Sequence, residues 1–136
     1  MRFMLMIYPG PKEGGWEVTP EDAAAMNAYN EALTRAGVLL ALDGLLPDAK
    51  GARVRSSGGS KTVTDGPFTE AKEIVGGFWI IQAKSKEEAV EWASRAPIDD
   101  GDMIEVRQIA ELSDFAEDVQ QAAELSKTPP EQTSAA

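Results

Sequence analysis

The chain has no cysteine and no histidine among its 136 residues. Without cysteine there is no disulfide, no thiolate nucleophile and no iron–sulfur ligation, and the composition suits a reducing cytoplasm. The lack of histidine removes the usual proton shuttle at neutral pH and the commonest zinc ligand. Acid–base work would therefore fall to Asp, Glu, Tyr or Lys with a shifted pKa, and neither a metal nor a redox cofactor is expected. Positive charge is also scarce: 13 Lys and Arg face 23 Asp and Glu, a formal net charge of −10. That balance argues against nucleic acid as a partner, because such binding rests on Lys and Arg neutralising phosphates. No apolar run approaches the roughly 20 residues of a membrane span. The opening run Phe3 to Tyr8 is too short for a signal peptide and lacks a small-residue cleavage site, so it reads as a strand.

What is present suits one domain. A hydrophobic content of 43% over this length is enough to bury a core without staples. The acid is unevenly spread: from Glu111 to the end stand six acids and one Lys, which accounts for half of the net charge. The expected division is a folded domain over 1–110 and an acidic helical extension with a disordered end over 111–136.

The alternation of Phe3, Leu5 and Ile7 with Met4, Met6 and Tyr8 predicts a strand that is apolar on both faces. Thr19-Pro20-Glu21-Asp22 has an N-cap hydroxyl, Pro at the first helical position and acids against the positive helix end. Met26, Tyr29, Leu33 and Ala36 continue it at helical spacing to Gly37, which predicts a helix over about Pro20 to Ala36. Val38 to Leu42 is a second apolar strand, ending in Asp43-Gly44. Ala52–Ser56 and Lys61–Thr64 flank Ser57-Gly58-Gly59-Ser60, a hairpin signal.

The stretch from Thr64 to Ala83 joins that hairpin to the most apolar strand through Asp65-Gly66-Pro67-Phe68. Asp can bond its following backbone, Gly can take angles other residues avoid, and Pro fixes φ near −65°. Thr69 to Glu73 could form one helical turn, ended by Gly76-Gly77 before the strand Phe78 to Ile81. Ser85 and Glu88 form a capping box for a helix whose stripe is Ala89, Trp92, Ala93 and Ala96, stopped by Pro97. Ile104 and Val106 alternate with Glu105 and Arg107 in a last strand. Ser113 to Leu125, with Phe115, Val119 and Ala122, predicts a C-terminal helix, and 126–136 a disordered end.

This order favours an α+β fold of ferredoxin-like type, an antiparallel sheet with two helices on one face. Strands apolar on both faces would then leave Met4, Met6 and Trp79, or their opposite-parity neighbours, on the uncovered face, a patch that a monomer rarely exposes. A homodimer packed sheet to sheet, burying on the order of 1,600 Å² or more, is the expected remedy.

The run DGPFTEAKEIVGGFWIIQAKSKEEAVEWASRAP, with the opening MLMIY and the closing IEVRQI, resembles the DGPF-domain proteins of the YCII-related superfamily over residues 2 to 110. KGARVRSSGG is similar to a subgroup that ends in an acidic helical extension. The resemblance implies a dimeric α+β barrel. Related YCII-like proteins have been considered possible enzymes through a His–Asp pair in their cleft, and many DGPF proteins are associated with extracytoplasmic-function sigma factors. Members of the subgroup often carry Gly-Glu-Gly-Leu-His-Pro after the second strand. Here that region reads Leu42-Asp43-Gly44-Leu45-Leu46-Pro47, with the acid kept and Leu46 where the His would stand.

Asp65 is the motif acid by this resemblance, and two readings of it stay open: it caps its own turn, or it contacts a ligand. Asp43 ends an apolar strand, where it is either a solvated residue or a carboxylate that pairs with Asp65. Two such carboxylates would permit hydrolysis or proton transfer. Tyr8, Phe68 and Trp79 could line a cleft for a small molecule, with core or interface packing as the alternative. Arg53, with Arg55 and Arg107, could hold a carboxylate or phosphate, or else be solvated strand residues. Asp99-Asp100-Gly101-Asp102 lacks the spacing of a calcium loop, and Gly76-Gly77 does not make a phosphate loop. Two functions follow: a homodimeric small-molecule-binding protein, with carboxylate acid–base catalysis as its enzymatic form, or a regulatory module that offers its C-terminal helix to a protein partner. Both are placed in the cytoplasm.

Overall fold

A computed structural model describes residues 1–11, 17–68 and 73–123. Within them the order is β1 (Arg2–Tyr8), α1 (Pro20–Arg35), β2 (Leu39–Gly44), β3 (Ala52–Ser57), β4 (Ser60–Asp65), β5 (Gly77–Gln82), α2 (Lys86–Ser94), β6 (Met103–Gln108) and α3 (Glu117–Ala122). Short 3₁₀ turns occupy Asp48–Lys50 and Leu112–Asp114. Four strands form one antiparallel sheet in the order β2-β5-β1-β6, and β3 pairs only with β4. This is the ferredoxin-like α+β arrangement, with a hairpin inserted after the second strand of the sheet.

The helix starts follow from their caps. The Thr19 hydroxyl accepts from the Asp22 amide at 3.1 Å, and the Asp22 carboxylate accepts from the Thr19 amide at 3.3 Å, so two N–H groups that the helix cannot satisfy find partners. The expected box on α2 closes differently. Ser85 Oγ accepts from the Glu88 amide, but Glu88 Oε2 reaches the Lys84 amide at 2.8 Å, one residue further back than a capping box requires.

Pairing decides which residues share a face. Leu5 lies opposite both Trp79 and Val106, and Trp79 lies opposite Leu42. This face carries the core, in which Phe3, Leu5 and Ile81 pack with Tyr29 and Leu33 of α1 and Ala89 of α2. Phe3, Leu5, Leu33 and Ile81 are fully buried. Tyr29 meets Trp79 edge to face at 5.6 Å between ring centroids, a favoured aromatic geometry. The Tyr29 hydroxyl donates to the Trp92 carbonyl at 2.7 Å, which ties α1 to α2. Burial raises the Tyr29 pKa to about 12, offset in part by Arg95.

The opposite face bears Met4, Met6 and Tyr8 from β1, Phe78 and Ile80 from β5, and Met103 from β6. None of the six is buried. The expected apolar patch is present with Met4 and Met6 in it, but Trp79 does not belong to it: its register opposite Leu5 turns it to the core face, where it is buried.

At the C-terminal side the helix is shorter than predicted. The Glu111 amide donates to Asp114 Oδ2 at 2.7 Å, closing a tight turn, and Phe115 is extended at φ −101° and ψ 157°, so α3 begins only at Glu117. Arg2 holds Glu111 through two contacts, at 2.6 and 3.1 Å. This pairing keeps the Glu111 carboxyl below the usual range. The expectations for a helical turn at Thr69–Glu73 and a disordered end over 126–136 fall wholly or largely outside the described residues.

Candidate functional site

A cavity of about 630 Å³ lies between the first turns of α1 and the end of the sheet. Its floor is Ile7, Leu42 and Trp79, and Met26, Asn27 and Asn30 look down from α1. The Trp79 indole N–H donates to Asn30 Oδ1 at 2.8 Å. This satisfies a donor that would be costly to bury alone and holds the indole against the cavity wall.

The end wall depends on the two glycines before β5. A Cβ on Gly76 would sit 2.7 Å from Pro9 Cγ, and one on Gly77 would sit 3.0 Å from the Asp43 carbonyl oxygen. Gly76-Gly77 thus lets the Pro9 loop and the end of β2 close in from two sides, a packing role. Asp102 fixes a third side. Its Oδ1 accepts from the Gly10 amide at 2.8 Å and its Oδ2 from the Asp99 amide at 3.0 Å, which draws the α2–β6 loop to the Pro9-Gly10 loop. Among the described residues, no group of three or more Asp and Glu is arranged to hold a metal ion.

The residues singled out from sequence divide among three places. Trp79 and Asp43 border the cavity. Asp43 lies directly opposite Phe78 in the β2–β5 pairing, so it shares the open face with Tyr8, on the side of the sheet away from the core. Asp65, Phe68 and Arg53 belong to the hairpin and its following turn, and none of them lines the cavity.

At that turn the anchoring acid is Asp48. Its Oδ2 accepts from the Phe68 amide at 2.8 Å, and the Gly66 amide donates to the Gly51 carbonyl at 2.9 Å. Asp65 is exposed, pairs through its backbone with Ala52 and makes no side-chain hydrogen bond among the described residues. The peptide between Gly66 and Pro67 is cis. A Cβ on Gly66 would lie 1.8 Å from the Asp48 carbonyl oxygen, so glycine is required by proximity. Arg53 stacks its guanidinium 3.9 Å from the Phe68 ring centre. The motif therefore fastens the hairpin to the 3₁₀ turn at Asp48–Lys50.

Sequence reasoning missed Asn30, Asn27 and the wall-forming use of Gly76-Gly77. Met26 was legible only as one residue of a helical stripe. An asparagine inside a helix has no local signature, and its value here lies in a bond to a tryptophan 49 residues away.

Comparison with known proteins agrees with this architecture. A family model described as the YCII-related domain matches residues 1–113. The chain is also 37% identical over 68 residues to an uncharacterised protein of Rhizobium meliloti (strain 1021). That alignment covers 50% of this chain and 55% of the relative.

Proposed function

The chain belongs to the YCII-related family, and from that premise we propose that it is a homodimeric small-molecule-binding protein whose ligand occupies the cavity beside α1. The observation that carries this reading is the cavity itself: about 630 Å³, with an apolar floor and the Asn27 and Asn30 amides above it. Ligand sites are typically mostly apolar hollows of roughly 300–1,000 Å³ with a few placed polar groups. Of the two carboxylates proposed as catalytic, only Asp43 borders the cavity, with its side chain on the open face of the sheet, and Glu17, Asp22, Asp99 and Asp102 line the same cavity.

The dimer is supported by the open face, where Met4, Met6, Tyr8, Phe78, Ile80 and Met103 form an apolar surface with none of them buried. A second copy laid on it would remove that surface from water. The protein is placed in the cytoplasm under the same proposal. No described helix is long and apolar enough to cross a membrane.

A fragment library observed by amide chemical shifts tests the cavity. Binding fragments are expected to perturb residues of α1, β2 and β5, and Ala23→Trp, on an exposed cavity-lining position, is expected to abolish those shifts. Fragment shifts absent from these elements would defeat the reading.

A second reading rests on the C-terminal segment, where Phe115 and Val119 are 47% and 45% exposed beside Glu117 and Asp118. Such a surface suits a protein partner, in line with a regulatory module tied to sigma-factor signalling. Capture of partners with and without residues 111–136 tests it, and an unchanged set of partners on truncation counts against it.

A further inference from the structure

Two asparagines line the cavity from α1, and the hydrogen bonds each already makes decide what it has left to offer. The indole N–H of Trp79 only donates, so the atom of Asn30 that meets it at 2.8 Å is the carbonyl oxygen Oδ1. An ionised carboxylate only accepts, so Asn27 meets Glu31 Oε1 at 3.2 Å through its Nδ2. What remains is complementary: Asn30 keeps the N–H groups of Nδ2, and Asn27 keeps its carbonyl oxygen. Residues three apart on a helix are neighbours, with about 5–6 Å between Cβ atoms. The wall thus presents a donor and an acceptor side by side, above the apolar floor of Ile7, Leu42 and Trp79. A group that carries both an N–H and a C=O, an amide, matches that pair.

Charge narrows the class of ligand. Among the described residues, every charged side chain that lines the cavity is an acid, and a cleft of one sign concentrates the opposite charge. At the first turn of α1, Asp22 uses Oδ2 to accept from the Thr19 amide, which leaves Oδ1 for a further donor. Past Asn27 and Asn30 a shallower hollow of about 500 Å³ continues along α1 to Thr34 and Arg35. Arg35 makes no ion pair or hydrogen bond among the described residues, and its fork of donors matches a carboxylate. A molecule laid along this path meets a carboxylate, then an amide-matching pair, then a guanidinium. Asp22 and Arg35 stand about 20 Å apart along the helix axis. An extended peptide of about three or four residues, at about 3.3 Å each, covers that span once the reach of the two side chains is added.

We propose that the cavity takes a short peptide in extended form, with its ammonium group at the Asp22 end, an apolar first side chain on the floor, an amide held between Asn27 and Asn30, and its carboxylate toward Arg35. This rests on the small-molecule reading of the same cavity and names the class of molecule.

Three probes test the assignment on the full chain, with amide chemical shifts as the readout: leucyl-glycyl-glycine, its N-acetyl form and its C-terminal amide. The free tripeptide is expected to shift residues of α1, β2 and β5. N-acetylation should weaken binding by about tenfold, and Asp22→Asn, whose side-chain oxygen can still cap Thr19, should erase that preference. C-terminal amidation should weaken binding by about threefold, a preference that Arg35→Gln removes. Asn27→Leu, at an exposed position, should weaken the free tripeptide by about tenfold, with circular dichroism reporting an unchanged fold. An acetylated or amidated probe that binds as tightly as the free tripeptide, or an Asn27→Leu variant that binds it as the parent does, overturns the proposal. If library fragments shift the cavity residues and none of the three probes does, the cavity reading stands and the peptide assignment is wrong. If neither fragments nor probes shift them, both fail.

Discussion

Phe3, Leu5, Leu33 and Ile81 in the four-stranded unit are fully buried, whereas every residue of β3 and β4 is exposed. Val54 and Val63 face each other across that hairpin at 67% and 65% exposure. A two-stranded ribbon is marginal in water by itself. It is held here by a turn and an anchor: Gly58 and Gly59, both at positive φ, close one end, and the Asp48 contacts to the turn at Gly66 and Phe68 fasten the other. The sheet unit is thus stabilised by area removed from water, and the hairpin by backbone geometry and a few directed contacts. Regions of such different character are expected to open with different free energies.

The largest effect expected is in the core. Leu33→Ala removes side-chain atoms from a site of zero exposure and should cost roughly 2–5 kcal/mol. Chemical denaturation followed by both tryptophan fluorescence and circular dichroism should give one coincident shifted transition. Two separated transitions would show that the hairpin-bearing half is not coupled to the core.

Gly66→Ala sharpens the comparison from the other side. Its methyl group would overlap the Asp48 carbonyl, and relief of that overlap should cost about 1–3 kcal/mol. Hydrogen exchange is the informative measurement, since amides of β3 and β4 should lose protection while those of β1 and β5 keep most of theirs. Equal loss in all four strands would break the distinction drawn here.

Tyr29→Phe deletes the bond to the Trp92 carbonyl and should cost about 1 kcal/mol. It also carries a pH signature. The folded-state pKa is raised from 10.0 to about 12, so between these values the folded chain holds a proton that the unfolded chain has released. Stability from this group is fully present below about pH 10 and is lost as pH rises towards about 12. The difference in stability between parent and variant should shrink across that window, and a constant difference would refute the assignment.

The smallest effect is at the hairpin anchor. Arg53→Ala removes the guanidinium from the Phe68 ring and should cost about 0.5–1 kcal/mol. The loss should appear as faster exchange in β3 and β4, with the midpoint of global unfolding almost unchanged.

Some of this was legible in advance because it is encoded by neighbours in the chain. The alternation in β1 and β6, the Thr19-Pro20 start of α1 and the glycine turn between β3 and β4 each depend on contacts a few residues long. Local periodicity also exposed a conflict, an apolar β1 beneath helices able to cover only one side, and from it the open face could be foreseen. The anchor at Asp48 was not legible, since Asp65 stands nearer in sequence to the same turn and offers the same chemistry. The cavity was hidden for a similar reason: its floor joins Ile7, Leu42 and Trp79, which belong to three strands.

By itself, then, the order of residues determined the strands, the helices, the two-faced sheet and the family to which the chain belongs, because periodicity, caps and turns act over one or two turns of backbone. Tertiary structure decided which carboxylate anchors the hairpin, which side of the sheet Asp43 shares, and where a hollow remains between α1 and the sheet. Those outcomes depend on strand register and on close approach between segments distant in sequence, where a shift of one residue turns a side chain to the other face.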